Sequence, residues 1–176
     1  MFDAVIFSGP VAEPATRTLA TLVEGVAAGF MGRVTVVSPQ RSDELAALAD
    51  ASGCQIIMGE EGAGLREHLS KKLTTAHVLA LGAGVLLPAG WPDRMKAEFA
   101  ARGNPDSGIA LLFEPEGLQD RLKLIFNQMV RGRFPFDYGA LVPRGQFIET
   151  AYDGRPMRVM GPVQMSRLRV TRMDAR

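Results

Sequence analysis

The chain has 176 residues, 47% of them apolar, and its 20 basic against 19 acidic residues leave a formal net charge of +1. That length supports one domain, residues 1–176, with a substantial core, and no apolar run approaches the roughly 20 residues of a membrane-spanning helix. The single cysteine, Cys54, rules out an internal disulfide framework and suits a reducing compartment.

The first element is an apolar run at Asp3–Ser8 with no basic leader before it, which reads as a strand, no signal peptide and a cytoplasmic location. A helix follows over roughly Glu13–Phe30. Leu19, Leu22, Val23, Val26 and Phe30 keep helical spacing there, and Pro14 suits a first turn. Arg33–Ser38 is a second apolar run. Ser42, ahead of Asp43 and Glu44, is a good N-cap for a second helix that ends near Gly53. Cys54–Met58 is a third run, and Cys54 beside Gln55-Ile56-Ile57 reads as a buried strand thiol. The loop Glu60-Glu61-Gly62-Ala63-Gly64 carries two acids that read as helix caps. It leads into a helix of about Gly64–Leu73, where Leu65, Leu69 and Leu73 fall at i, i+4 and i+8.

His77–Leu81 is the fourth run and reads as a strand buried on both faces. A loop, Gly82-Ala83-Gly84, follows it, and Trp91-Pro92-Asp93 opens a helix of about Pro92–Arg102. Gly108–Phe113 is the fifth run. Strands alternating with helices define an α/β fold: an open, mostly parallel sheet with helices on both faces.

The second half is less regular. Leu118–Arg131 is amphipathic, with Leu118, Leu122, Ile125, Phe126 and Met129 on one face and Arg121, Lys123, Arg131 and Arg133 at its margins. Core packing explains that face, and peripheral contact with a membrane surface is the alternative. A loop with Asp137 and Tyr138 then leads to a short strand, Ala140-Leu141-Val142, a helical turn at Gly145–Thr150, and a last helix at Val163–Val170. Charge is uneven. Residues 1–130 hold 11 basic and 15 acidic residues, whereas residues 131–176 hold nine arginines, no lysine and four acids. Arginine in place of lysine suits bidentate contact with phosphate or carboxylate, and a solvated basic tail is the plainer reading.

Ligands of open α/β sheets bind at the carboxyl ends of the strands, which selects Ser8, Ser38, Gly82, Ala83 and Gly84 as binding residues. Ser8-Gly9-Pro10 lacks the several glycines and the basic residue of a phosphate-cradling loop. Two histidines, His68 and His77, leave little material for a histidine-based metal site, and no cofactor is indicated. Ser38, Ser42 and Ser70 have no His/Asp partner suggested by position.

The order of elements and several segments resemble family 2 glycosyltransferases of the GT-A fold, a nucleotide-diphospho-sugar transferase fold, from Val5 to about Arg169. The segments are Thr18-Leu19-Ala20-Thr21-Leu22, Arg33–Ser38, Leu86-Leu87-Pro88-Ala89-Gly90-Trp91, Tyr138–Phe147 and Met160–Arg169. Glu13 falls where the family has an early glutamate. The resemblance implies a sugar-nucleotide ligand, and the departures from it are as informative. Ser38 stands for an aspartate that holds the nucleotide. Gly82, Ala83 and Gly84 stand for aspartates that hold metal and diphosphate. Gly139 and Ala140 replace an acid and a glutamine of the acceptor loop, and Gly161, Pro162 and Gln164 replace the late acids that include the general base. Asp137 is the one acid near the expected acceptor side, so no catalytic set is complete.

Three functions follow. The first is a catalytically degenerate glycosyltransferase-like protein that binds a nucleotide, a sugar nucleotide or a protein partner. The second is an active, metal-independent transferase that grips the diphosphate with arginines, Arg144 and Arg167 foremost, with Arg158 and Arg169. The third is a basic module for acidic lipid headgroups or nucleic acid. A polar cleft at Ser8, Ser38 and Gly82–Gly84 would mark an active enzyme; narrowing by Gln40, Arg41 or Met160 would mark a degenerate one.

Overall fold

The computed structural model describes residues 1–102, 110–123, 138–150 and 163–173. The first half alternates strictly: β1 (Phe2–Phe7), α1 (Ala12–Ala27), β2 (Met31–Ser38), α2 (Asp43–Ser52), β3 (Gln55–Met58), α3 (Gly62–Lys72) and β4 (His77–Gly82). A two-residue strand, β5 (Val85–Leu86), precedes α4 (Trp91–Arg102). Then come β6 (Ala110–Pro115), β7 (Ala140–Pro143), α5 (Arg144–Thr150) and β8 (Val163–Arg172). The sheet order is β3-β2-β1-β4-β7-β6-β8-β5. Pairing is parallel from β3 through β4, antiparallel at β7 on both its sides, parallel between β6 and β8, and antiparallel at β5. The carboxyl ends of β1 to β4, β6 and β8 therefore share one edge.

Two apolar layers hold the sheet. Phe2, Ala4, Ile6, Leu79 and Leu81 face α1, α2 and α4 through Leu22, Leu45, Trp91 and Met95. Val5, Val37, Val78 and Ala80 face α3 and α5 through Leu65, Leu69 and Phe147. β1 and β4 are apolar at successive positions because both of their faces are covered. Ser42 caps α2 by accepting from the Leu45 amide at 3.3 Å, and Gly53 closes that helix in the left-handed conformation at φ 70°.

α1 departs from the pattern of its large apolar residues. Its buried positions are Ala15, Thr18, Leu22 and Gly25, whereas Val23 and Val26 are exposed. The cause is Trp91. Its ring lies so close to Gly25 that a side-chain carbon there would collide with it, and its indole N–H donates to the Thr21 carbonyl at 3.0 Å. Small residues let α1 close over the tryptophan. At the amino end of the sheet, the fully buried Asp3 carboxylate accepts from the amides of Arg33, Thr74 and Thr75 at 3.1, 2.7 and 3.0 Å. It ties β1, β2 and the lead into β4 together, a structural role that satisfies a buried charge.

Three sequence expectations change. Val163–Val170 belongs to a strand and not a helix: Ser166, Leu168 and Val170 are buried while Arg167 and Arg169 are exposed, a period of two. Leu118 and Leu122, expected in the core, are exposed on the helical residues 118–123. Cys54 is half-buried just ahead of β3. Asp137, Arg158 and Met160 lie outside the described residues.

Candidate functional site

At the shared carboxyl edge, Ser8 directly follows β1 and Ser38 ends β2. The two loops leave a cavity of about 370 Å³, lined by Phe7, Ser8, Val37 and Pro39 on the sheet side and by Glu60 and Glu61 from the β3–α3 loop. Ser8 is 6% exposed, its amide donates to the Val37 carbonyl at 2.9 Å, and its hydroxyl is buried with no hydrogen-bond partner. An unsatisfied hydroxyl is a cost that native structures rarely carry without a ligand, a water or a strained function nearby. Ser38 is fully buried and inward of the cavity. Its hydroxyl accepts from the Gln40 amide at 3.3 Å and its carbonyl accepts from Gly59 at 3.0 Å, so it shapes the loop.

The turn after β4 is built differently. The Ala83 amide donates to the Phe7 carbonyl at 2.8 Å. The Gly84 amide donates to the Pro14 carbonyl at 3.0 Å and to the Thr18 hydroxyl at 2.9 Å, and the Gly84 carbonyl accepts from Met173 at 3.0 Å. Gly84 holds φ +91°, and a side-chain carbon on it would stand 2.5 Å from the Met173 carbonyl oxygen. Across the sheet, Gly139 holds φ +94°, and a side-chain carbon there would meet Leu81 and Phe113 at 2.7 Å. Both glycines are required by close approach, and neither position has volume for a carboxylate. Gly82, Ala83 and Gly84 offer no side-chain donor atom to a cation, and the residues of this turn do not fit one. Tyr138, expected at a pocket mouth, is buried in the layer beneath α1 and α4.

Among the described residues, Arg144, Arg167 and Arg169 do not gather beside this cavity. Arg144 sits beside Ala76, at the amino end of β4, where its amide donates to the Ala76 carbonyl at 2.8 Å and its guanidinium donates to the Ser70 carbonyl at 2.9 Å. Five strand residues, roughly 17 Å, separate that end from Gly82. Arg167 is exposed on β8, three strands from β4. Its amide donates to Glu98 at 2.5 Å, and Ser166 donates to the same carboxylate at 2.6 Å, which fastens β8 to α4. Arg169 and Arg121 both pair with Glu114.

Glu60 and Glu61 are the residues that sequence reasoning assigned to capping. Glu61 stands at the N-cap of α3 but makes no side-chain cap hydrogen bond. Two adjacent acids after a strand were the available signal. Farther along α3, the Lys71 ammonium hydrogen-bonds to Glu67 at 2.6 Å and holds that exposed carboxyl below its usual range. That pair lies on the solvent side and takes no part in the cavity. A larger concavity of about 530 Å³ lies between α1 and α2, at the amino ends of β2 and β3, with Val23, Val26, Leu48 and Cys54 on its walls. It holds no orphaned buried polar group, and it sits at the end of the sheet where α/β ligands do not bind.

The mostly parallel sheet with its strand order and the antiparallel insertion of β7 match a GT-A-like fold. Among solved structures, the chain is similar to a mannosyltransferase from Pyrobaculum calidifontis in complex with GDP-Man and Mn2+, with TM-score 0.61 and 14% identity over 96% of this chain and 56% of that one. It is also similar to glucosyl-3-phosphoglycerate synthase from Mycobacterium tuberculosis in complex with Mn2+, UDP and glucosyl-3-phosphoglycerate, with TM-score 0.58 and 12% identity over 99% of this chain and 73% of that one. The chain thus spans little more than half the length of the mannosyltransferase. No family profile and no curated protein sequence matches it. Among the described residues, no helix is long and apolar enough to cross a membrane.

Proposed function

We propose that the protein is a glycosyltransferase-like binding protein without metal-assisted transfer, which holds a nucleotide or sugar-nucleotide-like ligand by its nucleoside end in the cavity beside Ser8. One observation carries this reading: a cavity with a buried, unpartnered hydroxyl lies beside a turn whose Gly84 leaves no room for a side chain. Expelling a nucleoside diphosphate requires its developing charge to be neutralised, and a bound cation contributes several kcal/mol to that step. An inverting transfer also uses a base at the acceptor hydroxyl, typically for about 10²–10⁴-fold. Gly139 and Ala140 offer no base, and Gln164 takes no proton near neutral pH. Binding needs neither. The similar structures carry GDP-Man and UDP, which favours a nucleoside-bearing ligand here.

An arginine-based transferase needs free guanidinium groups at the same edge. Arg144 donates at the opposite end and Arg169 pairs with Glu114, so neither meets that requirement, and Arg167 stands three strands from β4. A thermal-shift series with nucleosides, nucleoside diphosphates and sugar nucleotides, each with and without manganese, tests the proposal. The expected result is a rise in melting temperature that manganese does not change, with no nucleoside diphosphate released from a sugar nucleotide. Manganese-dependent micromolar binding or turnover would overturn it. No shift with any of these compounds at millimolar concentration would remove the ligand role and leave a scaffold for a protein partner.

A further inference from the structure

We infer that the Glu60–Glu61 wall makes the Ser8 cavity selective for a nucleobase edge with adjacent N–H donors, guanine above the others. The inference rests on the nucleoside reading above. Both glutamates line the cavity, and among the described residues neither carboxylate has a hydrogen-bond or ion-pair partner; the Glu60 carboxylate lies over Gly64 in the first turn of α3. Among the described residues, no lysine or arginine lines it. Arg41, close by in the β2–α2 loop, lies over Gly59 instead, with its Nε 3.6 Å from where a side-chain carbon on that glycine would be. The wall therefore presents acceptors and negative charge, which repel a phosphate and attract N–H groups. The buried Ser8 hydroxyl is an independent sign that the cavity takes a polar ligand. Phe7, Val37 and Leu65 supply apolar surface for a flat ring.

An ionised carboxylate only accepts hydrogen bonds, and it binds best where two neighbouring donors meet its two oxygens. Guanine offers its ring N1–H and its amino group side by side. Adenine and cytosine offer one amino group beside an acceptor nitrogen. Uracil offers one N–H flanked by two carbonyl oxygens, which face a carboxylate unfavourably. The expected order is guanosine, then cytidine and adenosine, then uridine.

Calorimetric titration of the full chain with the four nucleosides tests this order, alongside Glu60→Gln and Glu61→Gln. Guanosine should bind roughly tenfold tighter than uridine, the scale of one bidentate base contact. At least one of the two variants should lose most of that preference, keep its uridine affinity and melt at the wild-type temperature. Equal affinity for the four nucleosides, or a preference that survives both substitutions, would overturn the inference and leave nucleoside binding standing. Absence of binding by all four would overturn the nucleoside reading itself, and this inference with it.

Discussion

Two loops leave the sheet side by side at the same edge, and they are built on opposite principles. The loop after β1 leaves a serine hydroxyl unsatisfied next to an open cavity. The turn after β4 spends its polar groups on the protein itself: Phe7, Pro14, Thr18 and Met173 take them up. Orphaned polar groups cost stability where a chain keeps them, and satisfied ones contribute it. The contrast supports the proposed binding role at the first loop and a structural role at the second. It also shows that close packing at positive φ requires the glycines at 84 and 139. The surrounding chain has closed over them.

The largest effect is expected at the sealed turn. Gly84→Asp introduces an acid, but it forces a positive φ on a residue with a side chain and drives that side chain into the Met173 carbonyl. The cost should be about 2–5 kcal/mol in denaturant melts. Gly9→Ala is the matching change in the open loop. Nothing lies within 4 Å of the added carbon, so stability should move by less than about 0.5 kcal/mol. If Gly84→Asp melts like the wild type and acquires manganese affinity, the turn is not sealed and the proposed contrast fails.

A smaller effect is expected from the helix that closes the turn. Thr18 is fully buried, accepts from the Gly84 amide and donates to the Pro14 carbonyl at 3.2 Å. Thr18→Val keeps the shape and removes the hydroxyl. The Gly84 amide retains the Pro14 carbonyl as a partner, so the loss should be about 1 kcal/mol. A neutral result in thermal melts would mean that the Pro14 bond alone seals the turn.

Much of this architecture is legible in the sequence because it is local. The apolar runs at Val34–Val37 and Val78–Leu81 follow from strands covered on both faces, and the Ser42 cap follows from hydroxyl geometry. What escaped depends on contacts distant in sequence. Gly25 and Thr18 face the core because Trp91, over 60 residues later, lies over α1. β5 is two residues long and exists only through its pairing with Thr171 and Arg172. The alternation in Ser166-Arg167-Leu168-Arg169-Val170 was present to be read, but apolar residues two apart in a short segment also fit a loose helical stripe. At the site, the strand ends alone selected Ser8 and Gly82–Gly84, because the carboxyl edge of a parallel sheet is readable from the order of its strands. The misplacement of Arg144 was not, since it follows from the antiparallel direction of β7.

The smallest stability effect, and the sharpest test of the contrast, is Ser8→Ala. A hydroxyl that is buried and unpartnered in the ligand-free protein contributes nothing to hold the fold, and it carries the cost of leaving water. Removing it should leave stability unchanged or raise it by up to about 1 kcal/mol, opposite in sign to Thr18→Val. Nucleoside affinity should fall in the same variant, because the ligand loses the partner the cavity held ready for it. A stability loss above 1 kcal/mol would show that the hydroxyl serves the fold after all. Unchanged stability with unchanged nucleoside affinity would separate Ser8 from the site, and would leave the Glu60 and Glu61 side chains as its polar wall among the described residues.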